Sequence, residues 1–150
     1  MKRIAFFLIA CLVIFSLCST SALATENSDV LVKRTVEVLD NGDSIVTELY
    51  ECEVQPRSGK TGYASATYLN ALGSAVWKVT VTGTFTYNGT TSSATNATTS
   101  VSIYNSNAKF VSKNASTSGN TATGTATVTY NASRTTRSAS VSCDKNGNLY

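Results

Sequence analysis

The chain has 150 residues, of which 12 are Lys or Arg, 9 are Asp or Glu and none is His. Without histidine, the sequence excludes a Ser-His or Cys-His catalytic pair, an HExxH-type zinc site and an imidazole proton shuttle. A chain of this length is typical of a single domain.

The first 24 residues have the pattern of a secretory signal peptide. Lys2 and Arg3 precede an apolar run from Ile4 to Leu17, and Ala22-Leu23-Ala24 supplies a small-x-small cleavage site. The apolar run is too short to cross a bilayer, which favours a cleaved signal helix over a membrane anchor. We therefore expect residues 25–150 to be secreted and extracellular, with no integral membrane span.

The mature chain has an uneven distribution of charge. Residues 25–53 hold eight acidic and two basic side chains, whereas residues 54–142 hold seven basic and no acidic ones. Either the acidic segment lies beside the basic body and compensates it, or the basic body has an anionic partner. Within the acidic segment, Val30–Leu39 and Ser44–Val54 flank Asp40-Asn41-Gly42-Asp43, which predicts an acidic β-hairpin over residues 30–54.

Alternation of period 2 predicts further strands in a body rich in Ser and Thr, residues 61–143. In Ala75–Tyr87, apolar residues alternate with Thr and Lys, and the following Asn88-Gly89 predicts a type I′ turn. Thr121–Tyr130 alternates in the same way. The strand that returns after the Asn88-Gly89 turn is predicted over Thr95–Tyr104, and weaker strand candidates are Gly62–Asn70, Ala108–Ser116 and Arg134–Cys143.

Seven to eight short strands with this spacing predict an all-β fold in one domain of residues 25–150. The expected architecture is an antiparallel Greek-key β-sandwich, immunoglobulin-like, with a small barrel as the alternative. The aromatic side chains of the predicted strands form the expected core, with Trp77, Phe85, Tyr87, Tyr104, Phe110 and Tyr130 at its centre.

Signal cleavage leaves Cys52 and Cys143 as the cysteines of the mature chain. Two cysteines in an exported protein suggest one disulfide, and the alternative is two thiols. Two cysteines without histidine cannot complete a closed zinc site. We therefore expect no metal and no cofactor.

The run from Trp77 to Gly89, WKVTVTGTFTYNG, and the end from Cys143 to Gly147, CDKNG, resemble a family of small secreted proteins of Gram-positive gut bacteria. That family has no assigned activity. The resemblance implies an exported Gram-positive origin and supplies no catalytic residue.

These features favour a secreted, non-catalytic binding or adhesion module for an anionic cell-envelope polymer or a glycan. Its candidate contacts are the basic residues Lys78, Lys109, Lys113, Arg134 and Arg137. The alternating threonines could also form a regular surface that binds a glycan. Alternatively, they have no binding role, because threonine suits any solvated strand face. The alternative function is a secreted antimicrobial or competition protein whose acidic hairpin shields the basic body.

Other functional classes fit the sequence less well. An enzyme is not expected, because after Glu53 the next carboxylate side chain is Asp144 and paired-carboxylate chemistry needs two nearby groups. Nucleic acid is not an expected partner, because the basic residues are sparse, fall in no RNA-binding motif and belong to an exported chain. We expect a monomer.

Overall fold

The computed structural model describes residues 29–53 and 59–150, which form two antiparallel β-sheets packed against each other. The first sheet contains β1 (Val30–Val38), β2 (Ser44–Glu51), β3 (Lys60–Leu69), β4 (Ala75–Tyr87) and β5 (Ser92–Ile103). The second sheet contains β6 (Ala108–Ser118), β7 (Thr121–Tyr130) and β8 (Ser133–Ser142). The predicted all-β sandwich of seven to eight strands is confirmed, with eight strands observed. The predicted signal helix lies outside the described residues.

The order of the strands differs from the expected Greek key. Neighbours in each sheet are consecutive in the chain, so both sheets are meanders. A Greek key needs one long connection that returns the fourth strand beside the first. Here each turn joins strands that already lie side by side, and the chain passes once from the first sheet to the second, between β5 and β6.

Two turns show how local backbone geometry sets this meander. Tyr87 pairs with Ser92, so the turn after β4 has four residues, and of the Asn88-Gly89 pair it is Gly89 that takes a positive φ, of 84°. This turn is therefore longer than the predicted type I′ turn. Positive φ at two successive residues occurs instead at Asn131 (48°) and Ala132 (64°), as a type I′ turn between β7 and β8 requires.

The core lies between β4 of the first sheet and β7 and β8 of the second. Trp77 and Phe85, two of the expected core residues, are fully buried there. Tyr87 differs from the expectation, because it is 41% exposed at the end of β4, where its ring lies beneath Gly147. Tyr104 and Phe110 are also about half exposed, because they lie where the chain leaves one sheet for the edge strand of the other.

The acidic hairpin is an integral part of the first sheet. β2 pairs with β3 along its whole length, and its Ile45 and Leu49 side chains belong to the hydrophobic core. Glu51 forms an ion pair with Lys60 of β3, so one contact between the acidic segment and the basic body is direct. In contrast, every residue of β1 is exposed.

Candidate binding face

The alternation of β7 separates its side chains into two chemically different sets. Ala122, Ala126 and Val128 are fully buried against the first sheet, whereas the intervening threonines point to the opposite side. The outer sides of β6, β7 and β8 form one surface, which we call the Ser/Thr face. Its members are Lys109, Ser112, Asn114, Ser116 and Ser118 of β6, Thr121, Thr123, Thr125, Thr127 and Thr129 of β7, and Arg134, Thr136, Ser138, Ser140 and Ser142 of β8.

Hydroxyl groups on β7 and β8 are joined in pairs directly across the two strands. The four oxygen–oxygen distances are 2.7 Å for Thr121 and Ser142, 3.0 Å for Thr123 and Ser140, 2.8 Å for Thr125 and Ser138, and 2.8 Å for Thr127 and Thr136. Successive pairs are about 7 Å apart along the strands, and neighbouring strands are about 4.8 Å apart. Each hydroxyl has one donor and two acceptor sites, so every pair keeps capacity for an external partner.

The strand β6 adds a third column of exposed polar groups, Ser112, Asn114, Ser116 and Ser118, beside the paired hydroxyls. All members of the Ser/Thr face are Ser, Thr, Asn, Lys or Arg, so the face contains no acidic side chain. Its two cations lie in the same row, because Lys109 and Arg134 both pair with Thr129, one from each side. Two strand spacings separate their backbones, a distance of about 10 Å.

The structure places the other predicted cations elsewhere. Lys78 lies on the outer side of the first sheet, between Thr67 and Ser102. Lys113 pairs with Ala126 and so lies on the inner side of the edge strand β6, where it remains exposed. Of the five predicted contacts, Lys109 and Arg134 are thus the two that share one surface with the threonines of β7.

Arg137 also lies on the inner side of its strand. Its Nη1 donates to the Thr136 carbonyl oxygen at 3.3 Å, and its Nε is buried without a hydrogen-bond partner in the structure. The nearby Tyr68 hydroxyl donates to the Asp43 carboxylate. Burial and this hydrogen bond raise the pKa of Tyr68, which the positive charge of Arg137 partly opposes. Arg137 therefore packs into the sandwich edge and is not part of the Ser/Thr face.

A small polar cavity of about 170 Å³ lies at this end of the sandwich. The residues that line it come from three separate turns and strands, Asn41, Asp43, Tyr68, Tyr130, Asn131, Ser133 and Thr135. No spacing in the sequence relates Asp43 to Tyr68, so this cluster was not predictable from the sequence. At this cavity, the hydrogen bond from Tyr68 to Asp43 connects the acidic hairpin to the body.

Cys52 and Cys143 have different surroundings. Cys143 is buried after β8, where it pairs with Leu149, and burial raises the pKa of its thiol. Cys52 is half-buried after β2, and burial followed by the charge of Asp29 raises the pKa of its thiol. Both side chains are present as thiols in the structure. The Cys52–Cys143 disulfide stays a prediction.

Fold and surface together define the class of this protein as an all-β sandwich of two meanders with a hydroxyl-covered outer face. A scan against family models, a search of curated proteins and a search of solved structures each found no match. Within residues 29–53 and 59–150, no three His, Cys, Asp or Glu side chains form a group suited to a metal ion. In the same residues, no helix has the length and apolarity needed to cross a membrane.

Proposed function

We propose that this chain is an exported, non-catalytic binding module whose Ser/Thr face binds a hydroxyl-rich, negatively charged polymer of the cell envelope. The observation that carries the proposal is the composition of that face, which combines regular rows of hydroxyls with Lys109 and Arg134 and has no acidic side chain. Export is supported by the signal-peptide pattern of residues 1–24, and a non-catalytic role by the absence of histidine.

The hydroxyl rows match a polymer of sugars or polyols. Each Ser or Thr hydroxyl both donates and accepts, as the hydroxyls of such a ligand do. The paired hydroxyls of β7 and β8 are already held in place by one another, so less side-chain entropy is lost on binding than for isolated side chains. Single contacts of this kind are weak, and repetition along a polymer increases the overall affinity.

The two cations supply attraction for phosphate or carboxylate groups of the ligand. Because no carboxylate on the Ser/Thr face competes with them, Lys109 and Arg134 give this surface a uniformly positive sign. Attraction between exposed charges falls with ionic strength, since the Debye length is about 10 Å at 0.1 M salt. We therefore expect binding that weakens as salt is added.

Co-sedimentation with purified Gram-positive cell walls tests the proposal. The variant Lys109→Gln/Arg134→Gln should bind about tenfold more weakly, which corresponds to about 1.4 kcal/mol. The matched control Lys78→Gln/Lys113→Gln removes the same charge from other surfaces and should bind like the original protein. Equal losses in both variants would show that net charge alone acts, and no loss in either would overturn the proposal.

No observation favours the alternative of an antimicrobial protein with a shielding hairpin. The acidic hairpin is paired with β3 in the first sheet, whereas the Ser/Thr face lies on the outer side of the second sheet. In this arrangement the hairpin does not cover Lys109 or Arg134, which are both exposed.

A further inference from the structure

The strand β1 forms an open edge of the first sheet. Its neighbour in the sheet order is β2, and all nine of its residues are exposed. Five of them are large and apolar, with exposures from 44% for Val32 to 72% for Val38. The apolar residues of β1 are Val30, Leu31, Val32, Val36 and Val38. An exposed apolar edge of this length is a template for a further strand.

The hairpin geometry determines which backbone groups of β1 point to the open edge. The Leu39 backbone N–H donates to the Asp43 carbonyl oxygen at 2.8 Å, so this pair is hydrogen-bonded. In an antiparallel ladder, hydrogen-bonded and non-hydrogen-bonded pairs alternate. Counting back from Leu39, the residues whose N–H and C=O groups face away from β2 are Arg34, Val36 and Val38.

We propose that a second copy of the chain adds its own β1 antiparallel to this edge, with Thr35 on the two-fold axis. In this register Arg34 faces Val36 of the second copy, and both residues present backbone groups to the interface. Lys33 then lies directly opposite Glu37 of the second copy. Because the symmetry is two-fold, each of these contacts is made twice.

Charge complementarity selects the second copy as the occupant and fixes the register. Lys33 and Glu37 lie on the same side of β1 about 13 Å apart, too far to pair within one chain. In the described part of the chain, the ion pairs are Arg34–Glu48 and Lys60–Glu51, which include neither of them. A shift of the register by two residues in either direction leaves both charges without an opposite one.

A β-bulge limits how far the pairing extends. The register of β1 against β2 shifts between Leu31 and Lys33, and bulges bend an edge strand away from regular pairing. With Thr35 on the axis, the contact is therefore the regular segment from Lys33 to Glu37. Because this contact is much shorter than a standard interface, which takes about 20–30 residues from each partner, we expect a weak dimer in place of the monomer expected from the sequence.

Sedimentation equilibrium of residues 25–150 over a range of concentrations tests the dimer. Lys33→Glu places two carboxylates opposite each other on each side of the axis, and the dissociation constant should rise at least tenfold. Lys33→Glu/Glu37→Lys exchanges the two charges and should restore the original value. Lys78→Glu makes the same change of charge on the outer side of β4 and should have no effect. A protein that remains a monomer at every concentration would overturn the proposal.

Cross-linking tests the register separately. In a non-hydrogen-bonded pair, opposite Cβ atoms are about 4.5 to 5.5 Å apart, so Thr35→Cys should form a disulfide across the axis under mild oxidation. Val38→Cys should not, because in this register the two Val38 residues lie far from each other. Mass analysis of the linked peptides identifies the new cysteine apart from Cys52 and Cys143. Equal cross-linking at both positions would contradict the register. The dimer is independent of the proposed function, since Ser/Thr-face variants leave β1 unchanged.

Discussion

Gly83 of β4 faces Ala122 of β7 so closely that a Cβ atom on Gly83 would lie 2.8 Å from the Cβ of Ala122. Real Cβ atoms essentially never approach to such a distance, so glycine is what allows the two sheets to meet here. Gly124 of β7 has the same role on the second sheet, because a Cβ atom added there would lie 2.8 Å from the Cβ of Val81 in β4. The Ser/Thr face is therefore backed by a closely packed interior.

Gly83→Ala should destabilise the protein by about 1–3 kcal/mol, because the added methyl forces Phe85 and Ala122 to move in a packed core. Urea unfolding followed by circular dichroism measures the change. Gly83→Ala/Ala122→Gly should recover part of the loss, since the second change makes room for the first. Ser100→Ala on the outer side of β5 should stay within about 0.5 kcal/mol of the original protein. An unchanged unfolding free energy for Gly83→Ala would show that the sheets are not in close contact.

Thr123→Val/Thr125→Val removes two hydroxyls from the Ser/Thr face while keeping β-branched side chains of nearly the same shape. We expect weaker co-sedimentation with cell walls and a change in unfolding free energy of less than about 1 kcal/mol, because both hydrogen bonds are exposed. The matched control is Thr80→Val/Thr82→Val on the outer side of β4. If the control loses binding to the same extent, the second sheet has no special role.

Asp144 holds the turn before the C-terminus through its carboxylate. The side chain and backbone of Asn148 donate to it at 2.8 and 2.9 Å, and the backbone of Asn146 donates at 2.8 Å. Hydrogen bonds from Asn148, then from the other donors, lower the pKa of Asp144 below its ordinary value of 3.8. These hydrogen bonds therefore make their full contribution to the stability of the fold above pH 3.8. The contribution is lost as the pH falls through the lower pKa that Asp144 has in the folded state.

Amide NMR shifts of Asn146 and Asn148 should therefore titrate with a midpoint below 3.8. Asp144→Asn removes the titrating group and should abolish this transition, while other acid-dependent shifts remain. A midpoint at or above the ordinary value would show that these hydrogen bonds are absent in solution.

Tyr63 stacks on Tyr50 with ring centroids 4.9 Å apart on the outer side of the first sheet. Burial, followed by a hydrogen bond to Asp29, raises the pKa of Tyr63 from 10.0 to about 12. Because the pKa of Tyr63 is higher in the folded than in the unfolded state, its protonated hydroxyl contributes fully to the stability of the fold below pH 10.0. This contribution is lost as the pH rises toward about 12. A titration of tyrosinate absorbance should show a late step that Tyr63→Phe removes and Asp29→Asn moves to lower pH. A wild-type titration without this late step would contradict the assignment.

The strands themselves were predictable because their signal is local. Alternation in Ala75–Tyr87 and Thr121–Tyr130 depends only on which neighbouring side chains are apolar, and both ranges match the observed strands. Register and burial were less predictable. Tyr87 has the same alternation as Phe85, yet it is 41% exposed at the end of β4, where its ring lies against Gly147 and not between the two sheets.

The candidate site shows the same division. The threonines of β7 were visible in the sequence as one side of a strand, but a threonine row is common on solvated strands. Only the pairing of β7 with β8 and β6 joins Lys109 and Arg134 to that row and leaves Lys78 and Arg137 elsewhere. The cavity lined by Asp43 and Tyr68 could not be predicted, because it depends on contacts between residues that are distant in the chain.

Composition and alternation by themselves determined that this chain is an all-β protein with hydroxyl-rich outer strand faces and no histidine chemistry, because these properties depend on residue type and nearest neighbours. Tertiary structure decided the meander order, the close approach at Gly83, the row of Lys109 and Arg134, and the open edge of β1. These depend on which strands lie side by side. The arrangement of the strands is determined by packing across the whole sandwich, and no single segment of the sequence contains enough information to predict it.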